Sequence, residues 1–164
     1  LSKQLNYIAK KFVSYNEFAG LEVDDIFSEK TLLKNKMHEV IELRSLILLS
    51  KGDEYQVSYL PRMAQISPVR EIQHLDYDND SNMDLIIFGN MTNVSPYFGS
   101  LDSNYGILLK GNGEGEFKYI DQKKSGLNIR GDVSKVLPLD KNKSKFVVGI
   151  NGNIPSILSL NDQN

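Results

Sequence analysis

The chain has 164 residues, of which 40% are hydrophobic and 24% charged, a balance typical of one globular domain or of a piece of a larger one. With 19 basic and 21 acidic residues the formal charge is −2, which does not favour nucleic acid or an anionic membrane as a partner. No apolar run approaches the roughly 20 residues of a membrane span. The absence of cysteine excludes disulfides and thiolate sites.

Residues 1–43 are expected to form a small helical segment packed on the rest of the chain. Apolar side chains recur there at the period of one helix face, at Leu1, Leu5, Ile8 and Phe12. Gly20 is the expected break, and a second short helix is expected to begin at Ser28 and to carry Leu32, Leu33 and Met37 on one side. This pattern favours core packing over a segment that binds a partner.

From residue 44 the sequence changes to short apolar runs separated by turn residues, which predicts strands. The expected strands are Ser45–Leu49, Tyr55–Leu60, Val69–Leu75, Leu85–Phe88, Ile107–Leu109, Val133–Leu139, Phe146–Ile150 and Ile154–Leu160. Residues 89–104 are a long polar connection, of the kind in which functional residues gather. Tyr97 and Phe98 at its middle are either a pair that faces a ligand or a packed anchor, and we favour the anchor.

The strand pattern restarts after this connection. Val133–Leu139 follows the pattern of Val69–Leu75, and Asp140 stands 64 positions after Asp76. A repeat of four strands at such a spacing is typical of propeller blades. The sequence therefore predicts a mainly β fold: an incomplete β-propeller of two propeller-like antiparallel blades, with blade units at 44–90 and 105–160, and with the helical segment before them.

The most informative stretch is the loop that precedes the expected strand Leu85–Phe88. Its first, third, fifth and ninth positions are carboxylates, namely Asp76, Asp78, Asp80 and Asp84. Ca²⁺ takes about six to eight hard oxygen ligands, so a tight turn must aim several oxygens inward. Asn82, at the seventh position, can add its backbone carbonyl. The alternative is that these residues serve only as turn formers, a common role of aspartate and asparagine.

Two comparisons help to decide what kind of loop this is: one with the EF-hand and one with the second unit of this chain. An EF-hand loop ends in a bidentate glutamate at its twelfth position and is flanked by helices, whereas the twelfth position here is Ile87 in an expected strand. In the second unit the corresponding loop, Asp140–Lys145, is shorter and has three lysines where the later carboxylates would stand. We expect that loop not to hold Ca²⁺. Because the fold does not need acids at every turn, we expect the acids of 76–84 to have a chemical rather than a structural role.

The pattern D-x-D-x-D-x-x-x-D-L, followed by a strand and by Gly89-Asn90, resembles the calcium loop of FG-GAP/VCBS-type repeats. Such repeats occur in the propellers of integrin alpha subunits and in many secreted bacterial propeller proteins. The similarity extends over about residues 44–160 and includes Pro68-Val69, Tyr105–Gly113, Glu116-Phe117, Ser125–Leu127 and Arg130–Val133. One position departs from the pattern, because Ser81 stands at the sixth loop position, where these repeats usually have glycine.

The resemblance implies a calcium-binding β-propeller fragment of an extracellular or cell-surface protein of the binding or adhesion type, without catalysis. It implies structural Ca²⁺ at Asp76, Asp78, Asp80, Asn82 and Asp84. A protein or carbohydrate ligand and the remaining blades of a parent chain are the implied partners. The alternative is part of a polysaccharide-acting propeller enzyme. Since the chain begins at Leu1 without a signal-like segment, we expect it to be an excised or mature part of something longer.

The sequence contains few other residues or motifs that suggest a catalytic or binding site. His38 and His74 are its two histidines, and His74, which an extended run would place on the same side as Asp76, is expected to be packed or solvated. Gly111–Gly115 lacks the lysine and hydroxyl ending of a phosphate loop and is predicted to be a hairpin turn. Arg130-Gly131-Asp132 spells an adhesion tripeptide, but its glycine and aspartate have ordinary turn roles at the start of a strand.

Overall fold

The structure, a computed structural model, describes residues 5–36 and 38–160. The expected helix positions Leu1 and Met37 lie outside the described residues. The chain divides into two compact units, Leu1–Glu42 and Leu43–Asn164. In the part that is described, the first unit is helical and the second consists mainly of strands.

The described part of the helical unit contains four short helices, where the sequence predicts two. They are α1 (Asn6–Lys11), α2 (Tyr15–Phe18), α3 (Val23–Ile26) and α4 (Glu29–Lys34). The difference arises from local caps. The Glu17 N–H donates to Ser14 Oγ at 3.3 Å, and the Ser14 N–H donates to the Glu17 carboxylate, so a new helix begins soon after α1 ends. Gly20 breaks the helical path as predicted, with φ +93°. Ile8 and Ile26 are buried, which fits core packing.

The predicted mainly β class is confirmed. The described residues of the second unit contain nine strands in three antiparallel sheets, together with a 3-10 helix at Arg62–Gln65 and a short helix α5 at Gln122–Ser125. The strands are β1 (Leu46–Lys51), β2 (Glu54–Tyr59), β3 (Val69–Leu75), β4 (Asp84–Gly89), β5 (Ile107–Gly111), β6 (Phe117–Ile120), β7 (Val133–Pro138), β8 (Lys145–Ile150) and β9 (Ser156–Ser159).

The sheets divide these strands differently from the expected units 44–90 and 105–160. Their orders are β1-β2, β3-β4-β5-β6 and β7-β8-β9, so β4 pairs with β5 across the long connection. The strand β2 ends before Pro61, which cannot donate a ladder hydrogen bond, and the 3-10 helix then leads the chain to β3. A bridge between Met91 and Leu101 closes the long connection and brings β5 back beside β4.

The strand β4 is buried along its whole length. Ile86 and Phe88 belong to a core cluster that also contains side chains of β7 and β8. Leu85 and Ile87 belong to a second cluster, which includes Leu60 and side chains of the 3-10 helix. The sheet β3-β6 is therefore covered on both faces, which explains why β4 is a continuous apolar run rather than an alternating one. Each buried aliphatic or aromatic side chain of this kind stabilises the fold by about 1.5–3 kcal/mol.

The repeat seen in the sequence is present in the backbone. Both β3 and β7 have a register shift at the same place, between Val69 and Glu71 and between Val133 and Lys135. These two strands lie against each other, because Lys135 Nζ is 2.9 Å from a Glu71 carboxylate oxygen and Gln73 Nε2 donates to a backbone carbonyl of β7 at 2.9 Å. The two repeated strands thus meet at one junction.

The connection between β4 and β5 does not use its aromatic pair as an anchor. Tyr97 and Phe98 are 85% and 83% exposed, so the favoured packed anchor is wrong. The connection is held by polar groups at its ends, since Asn90 is 0% exposed and its side chain donates to the carbonyls of Asn104 and Gly131 at 2.7 and 2.8 Å. Backbone bonds close the aromatic turn, so its side chains need not pack.

Substitutions at Asn90 test this polar anchor. Because Asn90 has φ +83°, they can separate the loss of its hydrogen bonds from the strain of a left-handed backbone. Asn90→Ala should lower the free energy of unfolding by about 3 kcal/mol or more, since it leaves buried partners unpaired and strains the backbone. Asn90→Gly loses the same bonds without the strain, and the greater chain entropy of glycine offsets part of that gain, so it should cost about 0.5–1 kcal/mol less. Urea unfolding of both variants measures this difference. Equal losses would show that the backbone conformation is not strained.

Candidate metal centre

The acidic loop is the hairpin turn between β3 and β4. Leu75 pairs with Asp84, which fixes the two ends of the loop and brings Asp76 close to Asp84. Within the loop, Asn79 and Ser81 have left-handed backbones, with φ of +59° and +68°. The left-handed conformation, which glycine adopts most readily, is therefore adopted at the sixth loop position by Ser81, a residue with a Cβ.

Three carboxylates of the loop lie together. Asp76, Asp78 and Asp84 each place one oxygen within 4.8 Å of the others, and such a group could hold a metal ion. Asp84 is buried, while Asp76 and Asp78 are exposed, so the group opens towards solvent on one side. Hard oxygen ligands of this kind suit Ca²⁺ or Mg²⁺ rather than softer metals.

Asp84 is the fixed member of the group. It is 1% exposed, and its Oδ2 accepts from the Tyr77 N–H while its Oδ1 accepts from the Gly111 N–H, both at 2.8 Å. Burial raises the pKa of the Asp84 carboxyl, and the two backbone donors partly oppose that rise. A carboxylate has about four lone-pair sites, so two remain for a cation. A Cβ at Gly111 would clash with the carbonyl oxygen of Met83, which explains why a glycine stands there.

The other loop acids hold the turn in shape. Asp76 accepts from the backbone N–H groups of Asp80 and Ser81 at 3.1 and 2.9 Å. Asp80 Oδ1 in turn accepts from the Asn82 N–H at 2.8 Å. These bonds form Asx-type turns, as expected if the aspartates serve as turn formers. They do not test the Asn82 carbonyl as a metal ligand, which stays a prediction.

Lys110 is the member of the site that sequence reasoning missed. Its Nζ contacts Asp78 Oδ2 and lies 2.9 Å from Asp80 Oδ2. These bonds lower the pKa of Asp80 and raise the pKa of Lys110. Lys110 follows Leu109, which pairs with Leu85 next to the loop, so only the pairing of β4 with β5 brings the ammonium to the acids. No signal in the local sequence points to it.

Asp80 lies outside the group of three carboxylates, and its Oδ2 lies 2.9 Å from Lys110 Nζ. The structure thus brings together three of the four predicted carboxylate ligands.

The loop of the second repeat joins the equivalent strands, but it is shorter and keeps only the first of the acids, Asp140. The Leu139 N–H donates to the Lys145 carbonyl at 2.8 Å, so Lys145 stands where Asp84 stands in the first repeat. Asp140 accepts from the Ser144 N–H at 2.8 Å, and the side chain of Ser144 is the main cause that lowers the pKa of Asp140. Lys143 Nζ lies 2.8 Å from both the carbonyl oxygen and Nε2 of His74, so this exposed histidine is a hydrogen-bond partner of the second loop.

Two other sequence motifs have structural roles. The Asn112 N–H donates to the Glu116 carbonyl at 3.2 Å, so residues 111–116 are the predicted hairpin turn between β5 and β6. In the adhesion-like tripeptide, Gly131 has φ +104° and Asp132 is only 4% exposed. The carboxylate that an adhesion receptor would need is therefore inside the protein.

Comparison with known proteins gives no relative for this chain: no family model, no curated protein and no solved structure matches it. Within the described residues, no helix has both the length and the apolar character needed to cross a membrane.

Ser81→Gly should raise the free energy of unfolding by about 0.5–1 kcal/mol. The left-handed backbone costs a residue with a Cβ about 1–2 kcal/mol, and the greater chain entropy of glycine offsets part of that gain. Ser103→Gly is the matched control, because Ser103 is exposed and is not among the described residues with positive φ. It should lose stability. Similar losses in both variants would mean that Ser81 is not strained.

Asp84→Asn should lower the free energy of unfolding by about 2–3 kcal/mol, measured by urea unfolding in the presence of chelator. An amide has one acceptor oxygen, so its NH₂ would face one of the two backbone donors now bound by Asp84. Asp53→Asn, at the exposed β1–β2 turn, should change stability by less than about 0.5 kcal/mol. An equally small effect at Asp84 would show that its two hydrogen bonds contribute little.

Proposed function

We propose that this chain is a calcium-binding part of a β-propeller in an extracellular or cell-surface protein of the binding or adhesion type, and that it is non-catalytic. Ca²⁺ would be held by Asp76, Asp78, Asp80 and Asp84, with the Asn82 carbonyl as a further ligand. The observation that carries the proposal is the group of three carboxylate oxygens within 4.8 Å of one another at the β3–β4 turn.

The arrangement of the sheets supports the propeller part of the proposal. Propeller blades are four-stranded antiparallel sheets set around a central channel, so each blade has a neighbour on both faces. The sheet β3-β4-β5-β6 has sequential order and a core cluster on each face. In this view β1-β2 is the outer half of the preceding blade and β7-β8-β9 is most of the next one. The strands needed to complete them, and further blades, would come from the parent chain.

The chemistry of the loop favours calcium as the ion. Ca²⁺ accepts a flexible set of many oxygens, whereas Mg²⁺ demands near-octahedral geometry and loses its water reluctantly. The loop concentrates four carboxylates, only one of which is buried. The attraction of each carboxylate to a bound divalent cation would offset their mutual repulsion. The metal would therefore stiffen the turn and the two strands that it joins.

A binding function is further supported by the exposed aromatic pair Tyr97 and Phe98 on the β4–β5 connection. Aromatic side chains are enriched at recognition surfaces, and loops held by a rigid sheet commonly carry such surfaces. The chemistry of such a pair suits a protein or carbohydrate ligand.

Added Ca²⁺ should raise the melting temperature, and chelator should lower it. A ligand that binds only the folded state at a hundredfold excess over Kd adds about 2.7 kcal/mol, which is about 5–10 °C for a domain of this size. Mg²⁺ at the same concentration should do less. Thermal melting in each condition, together with titration calorimetry, measures the effect.

The control variants separate metal binding from general charge effects. Asp78→Asn and Asp80→Asn together should abolish the calcium response, whereas Asp140→Asn should leave it intact, because the second loop lacks the other acids. If melting is indifferent to millimolar Ca²⁺ and calorimetry detects no binding, the loop is only a turn and the proposal is wrong.

A further inference from the structure

We propose that Lys110 is a built-in competitor of the metal: its ammonium group offsets part of the negative charge of the acidic loop in the metal-free protein and must leave before a divalent cation can bind with its full set of ligands. The inference rests on the proposed calcium function of the same loop. It assigns a residue outside the loop as the determinant of the affinity of the site.

The contacts of Lys110 fall on ligands that the metal would need. Its Nζ bridges Asp78 and Asp80, two of the four carboxylates. Asp78 also belongs to the group of three, so the ammonium and a metal would share that carboxylate. Asp80 is bound on both oxygens, one by Lys110 and one by the Asn82 N–H, and it stands outside the group. Release of Lys110 would free Asp80 to turn towards the ion.

The strand that carries Lys110 stays in place while its side chain can move. The backbone is fixed by the pairing of β5 with β4 and β6, and the next residue, Gly111, donates its N–H to Asp84. The side chain of Lys110 is 39% exposed, so its ammonium can turn to water without unfolding anything. The end of β5 therefore supplies the site with one fixed donor, the Gly111 N–H, and with one cation that can move away, the Lys110 ammonium group.

Electrostatics gives the direction and size of the effect. An ammonium a few ångströms from a divalent ion repels it, and near a protein surface this lowers affinity on the order of tenfold or more. Salt weakens the effect, since the Debye length is about 10 Å at 0.1 M ionic strength. Without metal the same ammonium stabilises the loop, because it lies between two carboxylates.

The experiment compares Lys110→Met with Lys123→Met, which removes the same charge from the exposed helix α5. Calorimetric titration with CaCl₂ at low salt should show Lys110→Met binding Ca²⁺ about tenfold or more tightly than the wild type. Lys123→Met should stay within about twofold. In chelator, Lys110→Met should melt below both other proteins, because Asp78 and Asp80 then lack their cation. The variant changes one half-exposed side chain, and its melting curve reports directly that it folds.

The outcomes separate this inference from the calcium function. Equal affinities of wild type and Lys110→Met, or an equal gain in Lys123→Met, would overturn the inference and leave the calcium function standing. Binding by Lys110→Met but not by the wild type would uphold the inference and overturn calcium binding by the natural sequence. If no protein binds Ca²⁺, both are overturned.

Discussion

The burial of β4 on both faces is the constraint on which the rest of this structure depends. Leu85 and Ile87 fill one core cluster while Ile86 and Phe88 fill the other, so a single strand belongs to two packed layers. Such a strand has no polar face, and its backbone must be paired on both edges. The strands β3 and β5 provide that pairing, and the long connection leads the chain from β4 back to β5.

The buried strand β4 fixes one end of the acidic loop. Asp84 is the first residue of β4 and is buried with it, so one carboxylate of the loop is fixed by the core, whereas Asp76 and Asp78 reach it from the exposed turn. Burying a carboxylate is unfavourable unless its oxygens are satisfied, and the N–H groups of Tyr77 and Gly111 satisfy them. The site therefore combines a rigid anchor with exposed groups that can adjust to an ion.

The two repeats show how hairpins with the same strand register can carry different charges at their turns. The β3–β4 and β7–β8 hairpins share a register shift, and their first strands face each other through Glu71 and Lys135. One hairpin ends in a group of carboxylates and the other in lysines, one of which, Lys143, contacts His74 of the first repeat. A hairpin at this place in the repeat is thus compatible with either charge, and in the first loop Asp76 and Asp80 also hold the turn in shape.

The sequence by itself determined eight of the nine strands of the described residues, the position of the acidic loop and the equivalence of the two repeats, because each depends on short apolar runs and on the turn residues beside them. The strand β6 (Phe117–Ile120) was not predicted, because Lys118 interrupts its apolar residues. The left-handed position at Ser81 could likewise be predicted from its place in the loop. The tertiary structure decided which strands share a sheet, the placement of Lys110 on Asp78 and Asp80, the burial of Asp84 and Asp132, and the exposure of Tyr97 and Phe98. These features depend on pairing and packing between residues far apart in the chain, and no local pattern records which distant strand will cover a given face.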